Sequence, residues 1–414
     1  MDTVLRENTQ QALIPGECVD IYYANKDTTK KQCFPTTVNT RFVQNFASLG
    51  SGVNTFTIPA GVGYQDVVIQ LQLPTLSSNT GLAVPRGWGY ALVKQISYRV
   101  GGSSQYFLSG AQMLQEALRS CPNAQARDDL FSLGGSQLIE ANLNSTNNYA
   151  YVWLKLPWTM PSSTGKPVPI PSDLLTSQIQ ITVELNPLSS VFTVESTNPS
   201  PTALQSAQFQ VQQVVLANAQ DQLARRVDMT THSLSMPVDF LQQEIAIPLT
   251  SNTGIQTVSA TGFRSGLVKG INCWITKGSD TGSVVLNPLK WYALSDLQLT
   301  YAGEVFARYD AGSYQLWNLV NSRESPKVSG STISYASSTF TGTADSYYWS
   351  YLPFAQAYDD GTATDMLVSG KSITNGIVQI QVKTPTADTD YVLHVSYVYN
   401  SVIVYTQGSC DFVF

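Results

Sequence analysis

Hydrophobic residues along this chain fall mainly into short runs of period two. Ile69, Leu71 and Leu73 alternate with Gln70 and Gln72, and Ile179, Ile181 and Val183 alternate with Gln180 and Thr182. Such runs predict strands with one face in a core and the other outside it. One stretch, Ile96 to Leu118, holds a fuller pattern. Ile96, Tyr98 and Val100 alternate with Ser97 and Arg99, Gly101-Gly102 supplies a turn, and a short strand leads into a helix. Ser109 followed three residues later by Gln112 fits a capping box, in which each residue bonds the other's backbone N–H. Met113, Leu114, Ala117 and Leu118 then share one helical face.

The same grammar returns at Leu297 to Val320. Leu297, Leu299 and Tyr301 alternate, Ala302-Gly303 turns the chain, Asp310 is placed to cap, and Leu316, Leu319 and Val320 share a face. Two further markers recur at nearly the same spacing. Leu156-Pro157-Trp158 is echoed by Leu352-Pro353-Phe354, and Ile179, Ile181 and Val183 by Val378, Ile380 and Val382. All repeat about 200 residues later and in the same order, which argues for a duplicated domain rather than a solenoid.

From these signals the chain divides into an N-terminal arm over 1–50, a first domain over 51–217, a helical connector over 218–239 opened by Asn218, and a second domain over 240–414 with an apolar tail. Many short strands, long Ser/Thr/Gly/Pro loops such as 325–345 and few helices point to an all-β protein. The fold predicted is two tandem eight-stranded antiparallel jelly rolls, with short helices in loops and between the domains.

Composition narrows the functional classes. Charged residues make up 13% of the 414 positions, about half the usual globular share. A surface covered by neutral polar groups suits burial in an assembly, and it also suits β-rich proteins in general. The net charge is −6 and Lys30-Lys31 and Arg225-Arg226 are the longest basic runs, so no basic stripe predicts direct nucleic-acid binding. Five scattered cysteines (Cys18, Cys33, Cys121, Cys273, Cys410) with no CxxC read as free thiols in a reducing compartment. The polar N-terminus carries no signal-peptide pattern and no apolar run is long enough to span a membrane, so a soluble protein not exported by the usual route is expected. Asn144-Ser145-Thr146 is a formal sequon without that context.

Candidate chemistry is sparse. His232 lies just past the connector, and His394 falls on the polar phase of its strand, where exposure to solvent or to an interface is expected. No GxSxG elbow supports a hydrolase, and no His/Cys cluster supports a zinc site. Asp128-Asp129, Asp359-Asp360 and Asp388 with Asp390 read as turn-forming acids rather than a calcium loop, and the Gly-rich stretches lack a P-loop lysine. No catalytic, cofactor-binding or metal-binding residue is nominated, no cofactor is expected, and the protein is read as not an enzyme. Chelators and reductants should therefore leave the fold intact.

In order along the chain, several segments resemble the double jelly-roll major capsid proteins of nucleocytoplasmic large DNA viruses and related dsDNA viruses. They are Val100-Gly101-Gly102 running to Leu118, Leu156-Pro157-Trp158, the proline-framed Pro167–Pro171 before Ile179, and Val215–Arg226, similar to that family's joint between halves. Tyr399-Asn400, Gly408 and Phe412–Phe414 match its closing segment. Gln220 and Gln222 stand where that joint usually carries charge. The resemblance implies a structural subunit of the virion, built as a homotrimeric, pseudo-hexagonal capsomer that tiles an icosahedral capsid. Its implied partners are other copies of itself, neighbouring capsomers, penton and minor capsid proteins, and an internal viral membrane, with no direct nucleic acid. Assembly inside the infected cell fits free thiols. The alternative is a jelly-roll binding module, such as a minor capsid, spike or lectin-like receptor-binding protein. It would be monomeric, with aromatic and acidic residues clustered on one loop.

Overall fold

The structure is a computed structural model that describes residues 37–58, 63–75, 82–84, 87–100, 106–119, 124–135, 148–154, 175–191, 193–194, 202–216, 223, 227, 234–250, 254–277, 291–292, 296–309, 333–336, 344–347, 349–354, 371–374, 377–384, 390–406 and 408–413. The first half contains β1 (Thr37–Asn45), β2 (Gly52–Ile58), β3 (Gly63–Gln72), β4 (Leu82–Ala83), α1 (Trp88–Leu92), β5 (Val93–Val100), β6 (Tyr106–Ser109), α2 (Gly110–Arg119), α3 (Ala124–Leu133), β7 (Tyr149–Leu154), β8 (Ile179–Leu185), β9 (Thr193–Val194) and β10 (Ser206–Leu216). The second contains β11 (Leu234–Leu241), β12 (Ile245–Pro248), β13 (Gln256–Ala260), β14 (Gly266–Lys277), β15 (Asp296–Tyr301), β16 (Glu304–Tyr309), β17 (Ile333–Ala336), β18 (Ala344–Tyr347), β19 (Trp349–Pro353), β20 (Lys371–Ile373), β21 (Val378–Lys383), β22 (Tyr391–Thr406) and β23 (Ser409–Val413).

Each half packs two antiparallel sheets face to face. In the first, the orders are β1-β10-β3-β7 and β2-β8-β5-β6; in the second, β11-β22-β14-β19 and β13-β21-β15-β16. Among the eight principal strands of either half, the first pairs the eighth, the eighth the third and the third the sixth. The second pairs the seventh, the seventh the fourth and the fourth the fifth. That nested winding is the jelly roll, and it occurs twice in the same order. β12 continues the line of β11 beside β22, β20 continues that of β19 beside β14, and β23 folds back on the end of β22.

The alternating residues build the core as their period requires. Val67, Ile69 and Leu71 of β3 and Ile179, Ile181 and Val183 of β8 are all fully buried. Between the sheets, Phe56 of β2 stacks on Phe209 of β10 at 4.4 Å. In the second half, Ile271, Cys273 and Ile275 of β14 and Val378, Ile380 and Val382 of β21 take the same places.

Two predicted boundaries differ from the structure. Thr37–Asn45, placed in the arm, is a full strand in register with Leu216–Gln208 of β10. It was hidden because its pattern, Thr-Val-Asn-Thr-Arg-Phe-Val-Gln-Asn, is polar on both phases. Leu234–Asp239, placed in the connector, already belongs to β11 beside β22. Of the connector, Leu223 and Val227 are described, and both are helical.

The Ala302-Gly303 turn forms as predicted. Tyr301 pairs Glu304, leaving a two-residue loop in which Ala302 (φ 51°) and Gly303 (φ 84°) both take positive φ. That backbone matches the twist of the flanking strands. Gly101-Gly102 and the helix expected over 310–320 lie outside the described residues.

Candidate functional site at the seam between the halves

The predicted capping box is present. The Ser109 backbone N–H donates to Gln112 Oε1 at 3.1 Å, and the Gln112 N–H donates to Ser109 Oγ at 3.2 Å. Two donors that the helix end would orphan are thereby satisfied. Gly110 starts α2 against the backbone. A Cβ there would lie 2.1 Å from the Tyr90 carbonyl oxygen and 2.4 Å from that of Val93, so only glycine lets the helix begin here.

Both cap residues also reach the second half. Gln112 Nε2 donates to the Gln242 carbonyl at 2.8 Å and to Ser396 Oγ at 2.9 Å, and Ser396 Oγ donates to the same carbonyl at 2.9 Å. Ser109 Oγ donates to Glu244 Oε2 at 2.9 Å. Gln242 and Glu244 lie in the break between β11 and β12, where the Gln242 N–H still donates to the Tyr397 carbonyl of β22 at 2.8 Å while the Gln242 carbonyl faces α2. Gln112 and Ser396 are completely buried, so these bonds are shielded from competing water.

Glu244 and His394 face each other behind the cap. Their nearest atoms, Glu244 Oε1 and His394 Nδ1, are 3.7 Å apart. His394 Nε2 shares a hydrogen bond with Thr276 Oγ1 at 2.8 Å, and its ring stacks on Trp274 at 5.2 Å. Burial pushes the Glu244 carboxyl up to about 6, against the Ser109 hydrogen bond, and pushes the His394 ring down to about 4. Both shifts disfavour the charged form, as desolvation does. Of the two settings expected from strand phase, solvent and an interface, solvent is excluded for His394. The outer face of its sheet is covered, so the polar phase points at protein.

Apolar contacts complete the seam. Tyr106 of β6 meets Phe240 of β11 edge-on at 4.9 Å and lies 6.3 Å from Phe412 of β23. Thr176 donates its backbone N–H and its hydroxyl to the Gly408 carbonyl at 3.0 and 3.2 Å. Met113, Leu114 and Ala117 of α2 are buried within one chain. This face of α2 packs within its own half, against α1, α3, β5, β6 and β7, while the cap residues Ser109 and Gln112 reach the second half.

His232, Asp359, Asp360, Asp388 and the sequon lie outside the described residues. Among the described residues, no three His, Cys, Asp or Glu side chains cluster as a metal site would require, and no helix is long and apolar enough to cross a membrane. Cys273 and Cys410 are buried free thiols. Sequence reasoning found the cap but not Glu244 or its pairing with His394. The polar triplet Gln242-Gln243-Glu244 between two apolar strands was the available signal.

No family model and no curated protein matches the chain. Solved structures do. The PBCV-1 protein VP54, in a crystal structure fitted into a reconstruction of the virophage Sputnik, superposes with a TM-score of 0.64 at 11% identity, covering 92% of this chain and 98% of that one. The faustovirus major capsid protein gives 0.55 at 9% identity, covering 92% of each. The mavirus major capsid protein gives 0.53 at 10% identity, covering 92% of this chain and 90% of its own. The chain is a double jelly roll. At such identities the likeness establishes the fold, and it runs through both halves, which excludes a single jelly roll with an unrelated appendage. In this double jelly roll, α2 and the β11–β12 break hold the halves together.

Proposed function

We propose that this protein is a major capsid protein whose chains form trimeric, pseudo-hexagonal capsomers in the shell of an icosahedral virion. The observation that carries the reading is the repetition of one jelly-roll winding over nearly the whole chain, held by a buried polar seam. Solved proteins of the same fold and comparable length are major capsid proteins of faustovirus and mavirus. A duplicated unit gives three chains six similar building blocks, and closed cyclic symmetry fixes the number. The division we infer runs from β1 to β10 for one jelly roll and from β11 to β23 for the other, joined by the connector. The role is structural rather than enzymatic. Partners are other copies of the chain, neighbouring capsomers, and penton and minor capsid proteins over an internal membrane.

Sedimentation velocity of the purified full chain at micromolar concentration tests this. Trimers that persist in high salt are expected, because few charges carry the contacts. A folded monomer at that concentration refutes the capsomer and leaves a monomeric binding module as the better reading.

A further inference from the structure

Eight strands complete each jelly-roll winding, and β23 belongs to neither. β22 runs on past the point where β14 leaves it. β14 pairs β22 from Tyr391 to Asn400, and β23 takes up the same side from Val402 to Thr406. Among the described residues, the equivalent strand β10 pairs only β1 and β3, so the first half carries no such addition. Thr406 pairs Ser409, which leaves a two-residue turn in which Gly408 takes φ 82°. Ser409 Oγ donates to the Thr406 carbonyl across that turn at 2.9 Å.

Beyond β22, this segment reaches the first half at two points. Phe412 lies 6.3 Å from Tyr106 of β6 while meeting Phe240 of β11 edge-on at 5.0 Å. The Gly408 carbonyl accepts both Thr176 bonds, and a Cβ on Gly408 would lie 2.4 Å from Thr176 Cγ2. The turn therefore needs glycine for its close approach as well as for its φ. The hold is nevertheless light. Thr176 is exposed, so water competes for its bonds, and Ser409, Asp411 and Val413 on the outer phase of β23 are exposed too. Only Cys410 and Phe412 are covered, and among the described residues β22 alone pairs with β23. A segment with few buried contacts and solvent-accessible hydrogen bonds opens at a lower free energy than the whole fold.

We propose that β23 is a strap that fastens the second jelly roll to the first and releases without unfolding either winding. It holds the seam at Tyr106 and Thr176, whereas the cap of α2 holds it at Gln242, Glu244 and Ser396. β23 follows every strand of both windings along the chain, so it closes only after they have been synthesised. Open, it leaves the cap to hold the two halves.

Two buried thiols report the strap and the winding separately, Cys410 on β23 and Cys273 within β14. The test treats the full chain with iodoacetamide and follows both cysteines by peptide mapping, in the wild type and in Gly408→Ala and Phe412→Ala, with far-UV circular dichroism verifying each fold. Both thiols should stay protected in the wild type. In the variants Cys410 should react at least about 10-fold faster, the factor that a strained positive φ alone supplies, while Cys273 keeps its wild-type rate. Thr176→Val changes only an exposed side chain and keeps the backbone bond to Gly408, so it folds even where the other two fail, and about 3-fold faster reaction of Cys410 is expected for it. Acceleration of Cys273 in step with Cys410 would overturn the strap, since opening β23 would then mean unfolding the winding. An unchanged Cys410 rate in the folded variants would overturn it as well, because the named contacts would not be what holds the strand.

Discussion

Gln112→Ala is the most informative single change at the seam. The side chain is completely buried and makes three hydrogen bonds, accepting from the Ser109 N–H and donating to the Gln242 carbonyl and Ser396 Oγ. Loss of the N3 partner weakens the helix start by about 1 kcal/mol. The two bonds across the seam contribute about 1 kcal/mol each, and the vacated volume adds a cavity term. Ser396 and Gln242 keep the bond between them, which limits the damage. The total is roughly 3–5 kcal/mol, at the upper end for a point substitution. Two of the three partners lie in the other half, so the loss should also uncouple the halves. Urea unfolding at one fixed protein concentration should show the reduced stability, and calorimetry should split one transition into two. A cycle with Ser396→Ala should return a coupling of about 1 kcal/mol. Loss below about 1 kcal/mol with a single transition would refute the assignment of Gln112 as the seam's main tie.

Three further outcomes follow from the same geometry. Glu244 titrates above its ordinary value, so its stabilising contribution is lost as pH rises from about 4.5 to 6; His394 titrates below its own, so its contribution is lost as pH falls from about 6.5 to 4. Because these slopes oppose, Glu244→Gln should be stabilised by rising pH and His394→Gln by falling pH, each by roughly 2–3 kcal/mol between pH 4 and 6.5; parallel unfolding profiles for the two variants would contradict the pairing. Ala302→Asn should raise stability by about 0.5–1 kcal/mol, since asparagine accepts the positive φ that alanine resists, and a lowered melting temperature would contradict that account. Burial pushes the Cys273 and Cys410 thiols up to about 12, so peptide mapping after thiol alkylation at pH 8 should find both unmodified until the protein unfolds.

The winding of both halves was legible because period-two runs such as Ile69–Leu73 and Ile179–Val183 have one buried face. Their repetition fixed the duplication without any need to know the pairing. β1 was not legible, since Val38, Phe42 and Val43 are scattered among polar residues and its strand identity comes from β10 beside it. The Ser109–Gln112 cap was readable because it is local. What the cap also holds was not, because Gln242, Glu244 and Ser396 lie 130 to 284 residues away in sequence. His394 shows the same limit. Strand phase says which face a residue takes, and only the tertiary arrangement says whether that face meets water or another half of the molecule.

A polar seam contributes something that an apolar one does not. Tyr106 against Phe240 and Phe412 would tolerate a shift of an ångström or two, because dispersion contacts are nearly non-directional. The Gln112 amide tolerates much less. It must place two N–H groups on Gln242 and Ser396 while its oxygen stays on Ser109, and any slip strands a buried polar group at a cost of about 1–3 kcal/mol. Ser109 adds a second constraint through Glu244, which stands at the break where β11 ends and β12 begins. The helix that caps one jelly roll thus fixes the position of the other. For a subunit proposed to place two similar blocks at fixed positions in a closed ring, that directional tie carries the requirement, since an error in the first placement would be repeated at every later step around the ring.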